Sequence, residues 1–285
     1  MLSALPLVLA VLAPIVRPVG EYERWQLSFD AKVEGEHVIE NYPQYEKLFF
    51  CGPSVARYYG QPLANWEVRF TDAAGKPVNQ AANWGAFYRT VFSSEMHTYR
   101  DEFIVPPGGV QVEIRFNPPD AKDALTVENV RLSKVENPPT LNVNPDFALG
   151  PRCFAGWNVG SNRRIVKDPE NAGRYLLVAG SDAGNGSLRS DWVPVTPGEK
   201  VRFEYRMRSS VTNGAGRVVF MTYKSTAQRD DCQSGTLSKS FHIGRKWTEG
   251  SFDFVVPAET RIIRIYADNT TFAFARFVKV EEADR

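Results

Sequence analysis

The sequence repeats itself over a long period, and this repeat constrains the fold more than any other feature. The segment DEFIVPPGGVQVEIRF at residues 101–116 is similar to FDFVVPAETRIIRIY at residues 252–266, and each carries a proline at the matching place. Further along, RLSKVE at residues 131–136 matches RFVKVE at residues 276–281. A period of about 150 residues is much longer than the repeat of a solenoid. The chain is therefore predicted to contain two copies of one domain.

Apolar and polar residues alternate within the repeated segments. In residues 27–33, LSFDAKV, every second side chain is apolar, and residues 202–208, RFEYRMR, show the same alternation. A period of two with one apolar face is typical of an antiparallel strand that is buried on one side. Turn sequences such as DAAG at residues 72–75 and PPGG at residues 106–109 separate these segments. Many short strands joined by turns favour an all-β protein built of β-sandwiches.

The junction between the two copies is rich in proline and asparagine. Pro138 and Pro139 stiffen it and prevent the preceding strand from continuing. We therefore predict a first β-sandwich at residues 19–136, a linker at residues 137–144 and a second β-sandwich at residues 145–285.

The first 18 residues allow two interpretations. Residues 2–16, LSALPLVLAVLAPIV, have the length of the apolar region of a secretory signal peptide, although no Lys or Arg precedes them. They are too short and too rich in proline for a transmembrane helix. Alternatively, PIVRP at residues 14–18 is similar to VPVTP at residues 193–197. In that case the segment is a core strand of a first domain that is incomplete at its start. We expect export, to a secreted, periplasmic or cell-surface location.

The charges of the chain are balanced. It has 34 Lys and Arg residues against 33 Asp and Glu residues, which gives a net charge of +1. A protein that binds nucleic acid through counterion release would show a basic excess, so nucleic acid is not an expected partner. Aromatic residues make up 12% of the chain. A low net charge together with many aromatic rings suits a surface that stacks on a neutral polymer.

The cysteines carry no metal or redox motif. The chain has three, Cys51, Cys153 and Cys232, and no CxxC, which excludes a zinc ribbon and a thioredoxin motif. Cys153 and Cys232 could pair in an oxidising compartment, and three unpaired thiols are the alternative.

Several short motifs follow one another in the second copy. NPDF at residues 144–147 precedes GW at residues 156–157, and GSLRSDWVPVTPG follows at residues 186–198. KWT at residues 246–248 then leads into FDFVVP at residues 252–257. Together these motifs resemble the galactose-binding-like carbohydrate-binding modules of families 4, 9 and 22, over nearly all of the second copy. The resemblance implies two tandem jelly-roll β-sandwiches that bind a polysaccharide without acting on it, alone or accessory to a glycan-degrading system and its enzyme domains.

The resemblance also bears on calcium. In this family the closing strand often carries an Asp that helps to bind a structural calcium ion. Glu128, in VENVRL at residues 127–132, is the corresponding acid, whereas Ala273 stands there in the second copy. The resemblance therefore implies a structural calcium ion in the first domain alone, with Glu128 as a ligand. No other cofactor is expected.

Sugar-binding modules stack aromatic rings on sugar rings and bind the hydroxyl groups through polar side chains. In the second copy, Trp157 is either a stacking residue or a core residue, and Tyr223 is predicted on the open face. Arg206 and Arg208 alternate with core residues, so they share a solvated face on which a guanidinium can hold a hydroxyl or a carboxylate. A charged surface without a ligand is the alternative. Trp247, just before a strand, is predicted to be core.

The first copy has its own aromatic candidates. Trp84 is the first choice, because NWG at residues 83–85 is typical of a loop, where an exposed tryptophan without a function is costly. Further candidates for ligand contacts are Tyr58, Tyr59 and Tyr88.

Motifs of catalysis are missing from the sequence. It contains no HExxH, no GxSxG, no complete GxGxxG and no Walker loop, so we predict that the protein is not an enzyme. A structural or adhesion spacer, or a protein-docking sandwich at the cell surface, is the main alternative to polysaccharide binding. A glycoside hydrolase or lyase is the third hypothesis, because paired carboxylates leave no sequence signature.

Overall fold

A computed structural model describes residues 13–35, 57–58, 61–62, 64–78, 90–91, 93–118, 123–149, 155–158, 163–182, 184, 186–224 and 240–281. Every regular element within these ranges is a β-strand, so the described part of the chain is all-β, as the alternation predicts. Nowhere in these ranges is there a helix that is long and apolar enough to cross a membrane.

Two three-stranded antiparallel sheets form the first sandwich, in the orders β1-β7-β5 and β6-β2-β8. A further pair, β3-β4, lies off these sheets. Part of the N-terminal apolar run is strand β1, while residues 1–12 lie outside the described residues. The strands are β1 (Ile15–Pro18), β2 (Arg24–Glu34), β3 (Arg57–Tyr58), β4 (Gln61–Pro62), β5 (Asn65–Thr71), β6 (His97–Ile104), β7 (Gln111–Asn117) and β8 (Ala124–Lys134).

Two larger antiparallel sheets form the second sandwich. The five-stranded sheet has the order β10-β11-β19-β14-β17, and the six-stranded sheet has the order β16-β15-β18-β12-β9 with β13 beside β18. The strands are β9 (Trp157–Asn158), β10 (Arg163–Lys167), β11 (Tyr175–Ala179), β12 (Ser187–Ser190), β13 (Val193–Pro194), β14 (Lys200–Ser209), β15 (Gly216–Tyr223), β16 (Ser240–Ile243), β17 (Thr248–Val255), β18 (Ile262–Asp268) and β19 (Thr270–Lys279).

The chain crosses between the two sheets of the second sandwich again and again. It passes from β14 to β15 and β16 in the other sheet, returns to β17, and crosses to β18 and back to β19. This is the jelly-roll connectivity that the resemblance implies. The central strands have the same order in both halves, since β17-β14-β19 corresponds to β6-β2-β8 and β15-β18-β13 to β5-β7-β1.

The core of the second sandwich consists largely of phenylalanine. The rings of Phe203 and Phe220 lie 4.9 Å apart across the two sheets, and Phe203 and Phe277 lie 5.0 Å apart on neighbouring strands. Because β14 and β19 turn these rings inward, the side chains that alternate with them on both strands face outward.

Candidate functional site

The outer face of the five-stranded sheet is charged along its central strand. On β14, Phe203 and Met207 are buried in the core. The intervening residues Glu204 and Arg206, and Arg208 beyond them, are partly exposed on the opposite side. The sequence analysis predicted this shared solvated face for Arg206 and Arg208 from the same alternation.

A pocket of about 250 Å³ opens on this face beside Arg206. Outward residues of β14 and β19, the loop between β10 and β11 with the first residue of β11, and the chain before β9 build it. Its aromatic and charged lining residues are Asp146, Asp168, Arg174, Tyr175, Arg206, Phe274 and Arg276.

A β-bulge in β19 shapes the floor of the pocket. Arg206 pairs with Phe274, but the next residue of β14, Met207, pairs with Phe272, so Ala273 is an extra residue on β19. An extra residue bends the strand and re-aims its side chains. Ala273 and Phe274 consequently both line the pocket, although they are neighbours in the sequence.

Two arginines extend over aromatic rings at this site. The Arg276 guanidinium lies 4.6 Å from the centre of the Phe274 ring. Neither Arg206 nor Arg276 forms a salt bridge within the described residues, so their N–H groups are available to a ligand. A guanidinium held over a ring keeps a fixed plane of donors.

Trp247 lies beside the pocket between two arginines. Its ring is 5.0 Å from the Arg206 guanidinium and 4.5 Å from that of Arg208. The indole is partly exposed and outside the core cluster, so the prediction that it is a core residue was wrong. Its Nε1 has no hydrogen-bond partner among the described residues. Trp247 therefore packs against the guanidinium groups of both arginines.

Asp168 supplies the acceptor of the pocket. Burial raises the pKa of this carboxyl, but hydrogen bonds from the Asn171 side chain and from the backbone of Glu170 and Asn171, with the nearby charge of Arg206, outweigh burial and lower it. Asp168 Oδ2 accepts from Asn171 Nδ2 at 2.8 Å, and Oδ1 from the Glu170 amide at 2.8 Å. The carboxylate is ionised at neutral pH, and its lowered pKa keeps it ionised in more acid solution, so it can accept from a hydroxyl.

The structure places the remaining candidates of the second copy in the interior. Trp157 is 1% exposed, packs edge-on against Phe147 at 5.5 Å and donates from Nε1 to the Asn144 carbonyl at 3.0 Å. That is the core role we gave as its alternative. Tyr223 is 3% exposed, so it does not lie on an open face as predicted. Sequence reasoning missed Tyr175, Phe274 and Arg276, although the outward alternation of RFVKVE contains a signal for Arg276.

Several predictions fall outside the described residues. Trp84, Tyr88 and Tyr59 lie there, as do Cys51, Cys153 and Cys232, and of Tyr58 the backbone alone is described, in β3. These assignments stay predictions.

The calcium prediction centres on Glu128. This exposed residue of β8 lies opposite Asp30 of β2 in the register of the two strands. Asp30 itself accepts hydrogen bonds from Thr98 at 2.6 Å and from Asn129 at 2.7 Å. Calcium takes six to eight oxygen ligands, and no group of three His, Cys, Asp or Glu side chains suited to a metal occurs in the described part of the chain. Structural calcium in the first domain stays a prediction.

No protein-family model matches the chain, and no curated protein matches it. Among solved structures, the chain is similar to the tandem CBM22-1–CBM22-2 domain of Paenibacillus barcinonensis Xyn10C, with 14% identity and a TM-score of 0.35 over 92% of this chain and 80% of that one. It is also similar to TmCBM61 in complex with beta-1,4-galactotriose, with 16% identity and a TM-score of 0.35 over 50% of this chain and 99% of that one. With identities and TM-scores this low, no site or ligand is transferred to this chain.

Proposed function

We propose that this protein binds a polysaccharide through the outer face of its five-stranded sheet and does not act on it chemically. The observation that carries the proposal is the pocket in which Arg206, Phe274, Arg276 and Asp168 meet. A sugar presents apolar C–H faces and hydroxyl groups that both donate and accept hydrogen bonds. The pocket offers aromatic surface, fixed guanidinium donors and an ionised acceptor, which match each of these features.

The shape of the site supports a polymer more than a small molecule. The pocket lies on the face of a sheet, where residues of both β14 and β19 line it, so a polymer can lie across it and continue on either side. Ligand pockets for small molecules are usually concave and mostly apolar, whereas this one is lined largely by charged side chains.

The proposal also includes where the protein acts and whether it acts alone or with an enzyme. The apolar residues from Leu2 up to the start of β1 at Ile15 support export. Once exported, the protein acts by itself or as the accessory part of a longer enzyme that degrades the same polymer.

Affinity electrophoresis in gels that contain plant, algal or bacterial polysaccharides tests the proposal. We expect at least one polymer to retard the protein, and Arg206→Ala and Phe274→Ala to weaken binding about tenfold each, as central contacts do. Arg217→Ala is the matched control, because Arg217 is an exposed arginine on β15 of the other sheet, paired with Asp268 at 2.7 Å. Folded protein that no polymer retards would support a spacer instead. Release of new reducing ends from a bound polymer would show that the protein hydrolyses the polymer, and would contradict a function limited to binding.

A further inference from the structure

A second cavity, of about 410 Å³, lies where the two sandwiches meet. Arg24 and Glu102 of the first sandwich form one of its walls, and Glu204 and Val278 of the five-stranded sheet form another. We call it the junction cavity, and the pocket beside Arg206 the sheet pocket. Three residues line both: Asp146, Ala148 and Arg276.

The outward residues of β19 connect the two cavities. Phe274 lines the sheet pocket, Arg276 lines both cavities, and Val278 lines the junction cavity. Alternate residues of a strand point to the same side, and each residue adds about 3.3 Å, so the four steps from Phe274 to Val278 cover about 13 Å. That length exceeds a single sugar ring, and the two cavities follow one line along the strand.

The junction is fixed by buried hydrogen bonds. Within the first sandwich, Arg24 Nε lies 2.5 Å from Glu102 Oε1, with side chains 8% and 12% exposed, and this ion pair orients Arg24. Arg24 Nη1 then donates to the Thr140 carbonyl of the linker at 2.8 Å. On the other side, Asn142 Nδ2 donates to the Ala275 carbonyl of β19 at 2.8 Å. The linker therefore forms hydrogen bonds with both sandwiches, and these bonds fix the walls of the junction cavity relative to each other.

We infer that the two cavities are one groove, in which a single neutral polysaccharide chain runs along β19 and reaches the first sandwich. This inference rests on the proposed function and names its ligand class. Guanidinium and carboxylate groups are mixed along the groove, from Asp168 and Arg206 to Arg276, Glu204 and the Arg24–Glu102 pair. Hydroxyl groups satisfy both kinds, whereas a polyuronate would meet a like charge at every carboxylate.

The length dependence of binding tests the groove. Calorimetric titration of the full chain uses neutral oligosaccharides, from disaccharide to octasaccharide, that derive from a polymer that retards the protein. We expect the long ligands to bind about tenfold more tightly than the short ones. Val278→Trp fills the junction cavity, so the ratio of long to short affinities should fall to about one. Glu204→Gln, a milder change in the same wall, should lower that ratio severalfold. Val255→Trp is the matched control, because Val255 is 61% exposed on β17 and lines neither cavity.

Each outcome decides a different question. If long and short ligands bind the native protein equally, or if both groove variants keep the native ratio, the groove is overturned while the sheet pocket stands. Tighter binding of uronic-acid oligosaccharides than of neutral ones of equal length overturns the assignment of a neutral chain. Absence of binding to any oligosaccharide by the folded protein overturns the proposed function and the groove together.

Discussion

Trp66 in the core of the first sandwich turns its polar edge toward a carboxylate. It is 1% exposed, its ring meets Phe29 edge-on at 5.0 Å, and its Nε1 donates to Asp101 Oδ2 at 2.9 Å. Asp101 is fully buried and its Oδ1 accepts from the Glu102 amide at 2.8 Å. Buried polar groups are tolerated when they are paired, so the two residues depend on each other.

Asp101→Ala should lower the free energy of unfolding by about 2 kcal/mol, because it leaves the Trp66 N–H and the Glu102 amide without this acceptor. Asp101→Asn has the same shape and keeps a carbonyl oxygen, so it should lose less. Urea unfolding followed by tryptophan fluorescence measures both. Equal stability of the two variants would show that the hydrogen bond contributes little.

Tyr223 shows where reasoning from single residues stops. Alternation on β15 puts Phe220 in the core and Tyr223 on the opposite side of the sheet. That side is nonetheless covered here, since neighbouring Arg264 on β18 is 2% exposed and donates from Nε to the Ser190 carbonyl at 2.9 Å. The alternation of apolar and polar residues along a strand predicts the face of the sheet on which a side chain lies. It does not tell whether a distant part of the chain lies over that face.

The same irregularity occurs in equivalent strands of the two sandwiches. On β2 and β8, Ser28 pairs with Arg131 and Asp30 with Glu128, so β8 carries the extra residue there as β19 does in the second sandwich. Asn129 in this stretch has a φ of 53°, a left-handed conformation that Asn tolerates. The side chains differ, however, because Asp30 stands where Arg206 stands in the second sandwich. The first sandwich thus has a similar bulge and, at Arg131, the counterpart of Arg276, but Asn129 stands where Phe274 stands. It lacks the aromatic ring and one of the two arginines of the sheet pocket, which favours one shared groove over two similar sites.

The edge strand β17 is held to β14 by charges on the outer face. Asp253 accepts from Arg202 at 2.6 and 3.1 Å and lies 3.1 Å from the Lys200 Nζ. The hydrogen bonds from Arg202 and Lys200 lower the pKa of Asp253 from 3.8 to about 2. The folded state thus favours the ionised form, and this stabilisation is complete above the unfolded value and is lost as the pH falls to the folded one.

Asp253→Asn should therefore be less stable than the native protein at neutral pH, and the difference should shrink between pH 3.8 and about 2. The measurement is the urea midpoint of both proteins over a series of pH values. A difference that stays constant to the acid end of this window would contradict the ion pair as its cause.

At the scale of the molecule, the sequence predicts the β-sandwich architecture but only part of the candidate site. Period-two alternation and the repeat predict strands such as β2 and β14, because both patterns are local. The sheet pocket depends on Asp168 and Arg174, which a loop brings over β19 from far along the chain, and no local pattern contains that contact. Trp247 precedes its strand in an irregular segment, where alternation says nothing about burial.

The first-sandwich wall of the junction cavity depends on the Arg24–Glu102 pair, whose side chains are 8% and 12% exposed. Breaking such a pair leaves an uncompensated charge away from water, which costs about 3 kcal/mol, whereas removing both charges costs much less. Arg24→Met and Glu102→Gln should therefore each destabilise the protein, and the double variant should be more stable than the sum of the two effects predicts. The control is the exposed pair of Arg217, 51% exposed, with Asp268, for which the coupling energy should stay below about 1 kcal/mol. Urea unfolding of all variants gives both coupling energies. Additive effects at Arg24 and Glu102 would mean that the ion pair does not hold the Arg24 side chain in place, and the junction cavity would lose its fixed wall on the first sandwich.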